Sequence, residues 1–329
     1  MAPLTIETPH VAAEVLEQRN SLLDKFEKGS SQQPQVLRDA DAAAYRKMRA
    51  EGTNGFVPPR FLPEAENITI RTRDEQEMKL RIVRPTSGKS HGCFLHFHAG
   101  SLVFGSAAGQ DFYLARLAND LGLTAVSVDY RLAPEYPFPK SQEDSVDAAL
   151  FALSSAGIEK LGGPLRLLVG ESAGAYLAVR VALSLRDHHN VPVAHKLAGL
   201  ICSYGTYDLS YTPSLLSHTR NIIVNRENLQ LCTEAAFPKL STMDRRDAKY
   251  SPLYADLRNM PPALFLCGTE DPFIDDNVFM ASKWSLVGNH AELKLIPGAG
   301  HAFTLIPAGE VQNAGLSEIV KFAKALLLL

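Results

Sequence analysis

The pentapeptide Gly170-Glu171-Ser172-Ala173-Gly174 fits the pattern Gly-x-Ser-x-Gly. Such a short pattern recurs by chance, and a serine ahead of a helix is an ordinary N-cap. The flanks decide between these readings. Arg166-Leu167-Leu168-Val169 reads as a strand, and Ala173-Gly174-Ala175-Tyr176-Leu177-Ala178 opens a helix. A serine on a sharp strand-to-helix turn presents its hydroxyl as a nucleophile, and small neighbours let the backbone turn tightly.

A serine hydroxyl is a weak nucleophile until a base takes its proton, and that base is normally a histidine held by a carboxylate. In a strand–turn–helix setting the chain order is serine, acid, histidine. Beyond an apolar run at Ala263–Cys267 comes Gly268-Thr269-Glu270-Asp271-Pro272-Phe273. Asp271 is the expected acid, with Glu270, Asp275 and Asp276 as rival carboxylates; an Asp-Pro turn is the structural alternative. Beyond Glu292–Ile296 comes Pro297-Gly298-Ala299-Gly300-His301-Ala302-Phe303, which makes His301 the expected base.

An acyl-transfer intermediate also needs preorganised donors for its oxyanion. The N–H of Ala173, directly after the serine, supplies one. The others should come from a loop after an earlier strand. Phe94-Leu95-His96-Phe97-His98-Ala99-Gly100-Ser101-Leu102 suits that place, being a strand followed by small residues. His96 and His98 alternate as metal ligands can, but no carboxylate lies near them in the sequence, so no metal is expected. No cofactor is expected either.

The elements that position these residues follow from periodicity. Strands are expected at Cys93–His98, Thr124–Asp129, Leu165–Gly170, Leu197–Ser203, Ala263–Cys267 and Glu292–Ile296. Helices are expected to begin near Gln110, Ser141, Ala173 and Ile274, with a last one from Val311. Continuous apolar strands alternating with helices imply a mostly parallel sheet covered on both faces, with sites along the strand C-terminal edge. Ile68–Arg71 and Leu80–Val83 read as an antiparallel pair. Before them, helices are expected over Val11–Lys28 and Ala40–Ala50, followed by an irregular stretch marked by Gly52, Gly55, Pro58, Pro59 and Pro63. Tyr207 to Tyr254 is too long for an ordinary loop and carries a plausible helix at Asn225–Ala236. We expect residues 67–329 to form the catalytic domain, and residues 1–66 with the insertion 207–254 to cap it.

The composition agrees with an ordinary globular protein: 329 residues, 46% hydrophobic and 21% charged. Its net charge of −3 offers no basic excess, so nucleic acid is not an expected partner. Cys93, Cys202, Cys232 and Cys267 lie far apart without metal-ligand spacing and read as reduced structural thiols. The first residues lack a basic stretch followed by an apolar one, and the final Ala325–Leu329 run is too short to span a bilayer. The expectations are a cytoplasmic location, no membrane span, and a monomer or homodimer.

Five pieces together carry a family resemblance: His98-Ala99-Gly100-Ser101, Asp129-Tyr130-Arg131-Leu132-Ala133-Pro134-Glu135 with Pro137 and Pro139, Gly170-Glu171-Ser172-Ala173-Gly174, Asp271-Pro272-Phe273, and Gly300-His301-Ala302-Phe303. In this order they resemble the hormone-sensitive-lipase-like carboxylesterases of the α/β-hydrolase fold, from about Asn67 to the C-terminus. The resemblance implies an α-helical cap and a bracing role for the Asp129–Glu135 stretch beside the oxyanion loop. By position it assigns the oxyanion donors to the N–H groups of Gly100, Ser101 and Ala173. The family loop is usually His-Gly-Gly-Gly, and a Cβ at Ala99 and Ser101 restricts positive φ. The loop is therefore expected to sit differently, or Ser101 Oγ to add a contact.

The function expected is hydrolysis of small to medium carboxylic esters, with Ser172 as nucleophile, His301 as base and Asp271 orienting it. A lactonase, acyltransferase or cyclase would use the same groups. A non-catalytic receptor like the plant gibberellin receptors would carry serine at the last loop position but lack the histidine that this chain keeps. The apolar residues Leu22, Phe26, Leu215, Leu216, Ile222, Ile223, Leu229 and Phe237 are candidates either for the cap core or for the acyl pocket.

Overall fold

The computed structural model describes residues 4–30, 41–53 and 58–328. The expected positions Ala40, Gly55 and Leu329 lie outside them. In chain order the elements are β1 (Leu4–Glu7), α1 (Ala13–Ser30), α2 (Ala42–Glu51), β2 (Glu66–Arg71), β3 (Glu77–Val83) and β4 (Cys93–Phe97). Then come α3 (Asp111–Leu121), β5 (Thr124–Val128), α4 (Lys140–Leu153), α5 (Ser155–Leu161), β6 (Leu165–Glu171), α6 (Ala173–His189) and α7 (Val193–Lys196). The chain closes with β7 (Gly199–Ser203), α8 (Pro213–Ser217), α9 (Arg226–Ala236), β8 (Ala263–Gly268), α10 (Ile274–Leu286), β9 (Ala291–Ile296) and α11 (Glu310–Leu327).

The strands form one sheet in the order β1-β9-β8-β7-β6-β4-β5-β3-β2. It is parallel from β1 to β5, while β3 runs antiparallel to both β2 and β5. β4, β5, β7 and β8 are buried along their whole length, as strands covered on both faces must be. Alternate residues serve opposite faces. Leu95 and Phe97 join a core with residues of α4, α6 and α10, including Trp284. Phe94 and Leu167 join a second core with residues of α3 and α11. α6 is buried at every position from Ala173 to Leu185, which fixes the helix behind Ser172 at the centre of the molecule.

The expected strands and principal helices are present within a residue or two, except that β3 begins three residues before the expected Leu80. Four elements were not foreseen. α5 follows α4 at a break where Ser154 Oγ accepts the Gly157 N–H at 3.0 Å, and it ends on Gly162 at φ +81°. α7 and α8 have four and five residues, too few to show a helical period. β1 also has only four residues; it pairs in parallel with β9. There the Lys294 ammonium, only 2% exposed, meets the carboxylates of Glu7, Glu292 and Glu318.

The N-terminal helices lie against loops at the strand C-terminal edge. Arg19 of α1 donates to the Pro297 carbonyl at 2.5 Å and pairs with Glu310 at 2.7 Å. In α2, Arg46 donates to the Val103 carbonyl at 2.9 Å, and the rings of Tyr45 and Phe104 are 4.9 Å apart. α1 also reaches the 207–254 segment, where Arg220 pairs with Asp24 at 2.6 Å and Glu27 at 3.0 Å.

Candidate active site

Ser172 sits between β6 and α6 with φ +55° and ψ −119°, a backbone conformation costing a non-glycine residue on the order of 1–3 kcal/mol. The two motif glycines allow it. A Cβ on Gly174 would lie 1.8 Å from the Phe97 carbonyl oxygen, and one on Gly170 would lie 2.2 Å from the Gly174 oxygen. The turn is thus wedged against β4, and the Ser172 N–H is tied to the Ser203 carbonyl at 2.9 Å.

Three loops from distant parts of the chain converge on this serine. His301 Nε2 is 3.0 Å from Ser172 Oγ, and His301 Nδ1 is 2.9 Å from Asp271 Oδ2. The other Asp271 oxygen accepts the Phe273 N–H at 2.9 Å, which fixes the carboxylate plane. A carboxylate can only accept, so Nδ1 carries the proton and Nε2 is free to take one from the serine. The three residues are 3–6% exposed, and the rings of Tyr204 and Phe273 meet His301 edge-on at 5.0 and 5.2 Å.

The rival carboxylates are engaged elsewhere. Glu270 accepts from Thr269 Oγ1 at 3.4 Å, and Asp275 accepts the Ser214 N–H at 2.7 Å. Asp276 accepts the N–H groups of Tyr207 and Asp208 at 2.6 and 2.8 Å and the Thr212 hydroxyl at 2.7 Å. Burial pushes its carboxyl up to about 7.

The loop after β4 turns at Gly100, whose φ is +135° and where a Cβ would lie 2.1 Å from the Phe104 oxygen. Ser101 and Leu102 follow at φ +55° and +62°. The expected restriction at Ser101 is therefore overcome: Ser101 adopts the left-handed region despite its Cβ. Ala99 is not among the positive-φ residues, so its methyl group carries no such cost. Among the described residues the N–H groups of Gly100 and Ser101 have no protein acceptor, and Ala173 stands at the helix start where N–H groups lack partners.

The Asp129–Glu135 stretch holds this loop from behind. Tyr130 Oη donates to the His98 carbonyl at 2.7 Å, and its ring stacks on His98 at 4.1 Å. Burial lowers the His98 imidazole to about 4, so it is neutral near pH 7. Asp129 accepts the Ala107 N–H at 3.2 Å, and Arg131 lies between Asp144 and Asp74 at 2.6 and 2.8 Å.

One sequence-level premise is corrected by the fold. His96 has a carboxylate neighbour after all, because β6 brings Glu171 Oε2 within 2.8 Å of His96 Nε2. Gln110, which carried no signal of its own in the sequence, also reaches that carboxylate. Among the described residues no group of three or more His, Cys, Asp or Glu side chains could hold a metal ion.

A narrow apolar cleft opens beside Ser172, walled by Leu102, Tyr176, Leu209, Leu229, Phe237 and Phe273 among others. Of the apolar candidates, Leu229 and Phe237 line it. Leu215 packs behind it with Leu229 and Phe273, and Leu216 is half exposed. The arrangement can deprotonate a serine beside an apolar cleft, next to a loop with unused N–H donors.

The family model described as alpha/beta hydrolase fold matches residues 94–305. An ethyl acetate hydrolase of Pseudomonas putida is 29% identical over 244 residues, covering 72% of this chain and 74% of that protein. A hyperthermophilic esterase from the archaeon Pyrobaculum calidifontis superposes with a TM-score of 0.79 at 26% identity, covering 98% of this chain and all of that one. A thermostable carboxylesterase cloned from a metagenomic library superposes at 0.75 with 25% identity, covering 88% of this chain and 97% of its own.

Proposed function

We infer that this chain, which belongs to the alpha/beta hydrolase fold family, is a serine carboxylesterase acting on small to medium esters. The observation that carries the reading is the hydrogen-bonded series Ser172–His301–Asp271 opening on an apolar cleft. Ser172 Oγ attacks the ester carbonyl carbon as its proton passes to His301 Nε2. The oxyanion is held by the N–H groups of Gly100, Ser101 and Ala173, each such donor being worth roughly 3–4 kcal/mol in the transition state. His301 then protonates the departing alcohol, leaving an acyl group on Ser172. Water, deprotonated by His301, releases the acid. Asp271 keeps the proton on Nδ1 and balances the imidazolium charge.

In this reading α1, α2 and the 207–254 segment form a cap over the cleft, whereas β1, expected with the cap, belongs to the sheet of the catalytic domain because it pairs with β9. The substrate range is supported by the apolar cleft wall and by the relative named for ethyl acetate hydrolysis. Among the described residues no helix is long and apolar enough to cross a membrane. We place the protein in the cytoplasm, with its four buried, unpaired cysteines in support.

The test is Ser172→Ala. Hydrolysis of p-nitrophenyl acetate and butyrate should fall by at least about 10³-fold, with the circular dichroism spectrum unchanged. Retained turnover by the variant would overturn the assignment.

A further inference from the structure

A buried polar cluster under the nucleophile takes no part in the proton transfers. His96 of β4, Ser127 of β5 and Glu171 of β6 are all fully buried. His96 Nδ1 lies 2.8 Å from Ser127 Oγ, and His96 Nε2 lies 2.8 Å from Glu171 Oε2. Gln110, immediately before α3, joins this cluster to the loop. Its Nε2 donates to Glu171 Oε2 at 2.8 Å, and its Oε1 accepts the Ala99 N–H at 2.9 Å. Ala99 directly precedes Gly100 and Ser101.

The chemistry of these groups fixes their orientation. A carboxylate offers only acceptors, so the amide nitrogen of Gln110 must face Glu171 and His96 must carry its proton on Nε2. The Gln110 amide oxygen is thereby committed to the Ala99 N–H, since flipping the amide would set oxygen against carboxylate. A buried carboxylate is a costly way to fill space, and apolar residues of similar volume often serve stability as well or better. What the carboxylate adds here is direction.

We propose that Gln110, Glu171 and His96 are positioning residues for the oxyanion loop. Glu171 orients the Gln110 amide, the amide anchors Ala99, and the Gly100 and Ser101 N–H groups are thereby aimed at the cleft. The proposal rests on the esterase reading, and none of the three residues touches substrate. The unpartnered N–H groups of a loop held in positive φ need such an anchor, because a displacement of about 1 Å at a reacting centre costs on the order of 10²-fold in rate.

A reciprocal exchange tests it. Gln110→Glu alone sets two carboxylates face to face, and Gln110→Leu removes the link. In the double variant Gln110→Glu/Glu171→Gln, the new amide nitrogen donates one hydrogen to the new carboxylate, whose second oxygen can still accept the Ala99 N–H, and its other hydrogen to His96 Nε2, with the His96 proton moved to Nδ1 facing the Ser127 hydroxyl. Both single variants should lower kcat on p-nitrophenyl acetate about 10- to 100-fold with KM within about threefold. They should weaken inhibition by a phenylboronic acid, which forms a tetrahedral serine adduct, by a similar factor. The double variant should recover most of both. The milder Gln110→Ala serves if either single variant fails to fold. Wild type and Ser172→Ala run alongside: an inactive wild type overturns the esterase reading and this proposal together. An active wild type with variants that lose melting temperature but keep kcat and boronate affinity overturns only the positioning role. So does a double variant that recovers stability without recovering kcat.

Discussion

At the scale of single residues, the site divides into groups legible in the sequence and groups that were not. Ser172, Asp271 and His301 each end a strand in a short loop of small or turn-forming residues, and that local chemistry is written in the chain. Glu171 was only the variable letter of a motif, and Gln110 only a residue before a helix. Their partnership exists because β4 and β6 pair side by side and α3 begins beneath them. Asp276 shows the same limit, since it looked like a rival acid but holds the N–H groups of Tyr207 and Asp208 and the Thr212 hydroxyl. Its carboxyl is raised from an ordinary value near 3.8 to about 7 in the fold. The folded state therefore holds this proton more tightly than the unfolded chain does. Stability should decline as pH rises between about 4 and 7, by up to a few kcal/mol from this group. Asp276→Asn keeps the acceptor for Tyr207 and Asp208 and should flatten that part of the profile. Urea unfolding at pH 4.5 and 7.5 measures it, and an identical pH slope in both proteins would refute the assignment.

At the scale of elements, α9 is the one that shapes the cleft. Asn225 caps it by accepting the Asn228 N–H at 2.8 Å, and Leu229, Cys232, Thr233 and Ala236 share its inward face. The helix itself was expected from the sequence at Asn225–Ala236. Which side chains met substrate space was not, because that depends on how the insertion folds back over the sheet edge. Leu229→Ala should enlarge the cleft and shift preference toward longer acyl chains. One methylene of fit is worth roughly 1–3 kcal/mol in such a pocket, so the ratio of octanoate to acetate turnover should rise about tenfold or more. A p-nitrophenyl ester series from two to ten carbons reads it out. An unchanged profile would mean that α9 does not bound the acyl group.

At the scale of the whole molecule, the N-terminal segment touches two of the three loops of the site. Leu23 of α1 lies against Gly300, one residue before His301, and Arg46 of α2 holds the carbonyls of Val103 and Ala133. Deleting residues 1–53 should lower the melting temperature and reduce kcat at least about tenfold, through loosened loops rather than a missing nucleophile. Stoichiometric labelling of Ser172 by a fluorophosphonate, slower than in the intact chain, is the expected signature; unimpaired kcat would contradict it. The parallel sheet and the antiparallel β2–β3 pair were readable from strand patterning, whereas the antiparallel join of β3 to β5 was not. β1 was not, since four residues carry too little pattern and its place depends on a partner far away in sequence.

That distant pairing also sets an order of events in synthesis. Glu7 and Lys294, joined across β1 and β9, are 287 residues apart. At roughly 5–20 residues per second, a ribosome makes the first strand about 15–60 seconds before its neighbour exists. His301 emerges later still, long after Ser172. The nascent protein is thus chemically silent until His301 has joined Ser172, and the β1–β9 sheet edge and the hydrolytic apparatus mature together.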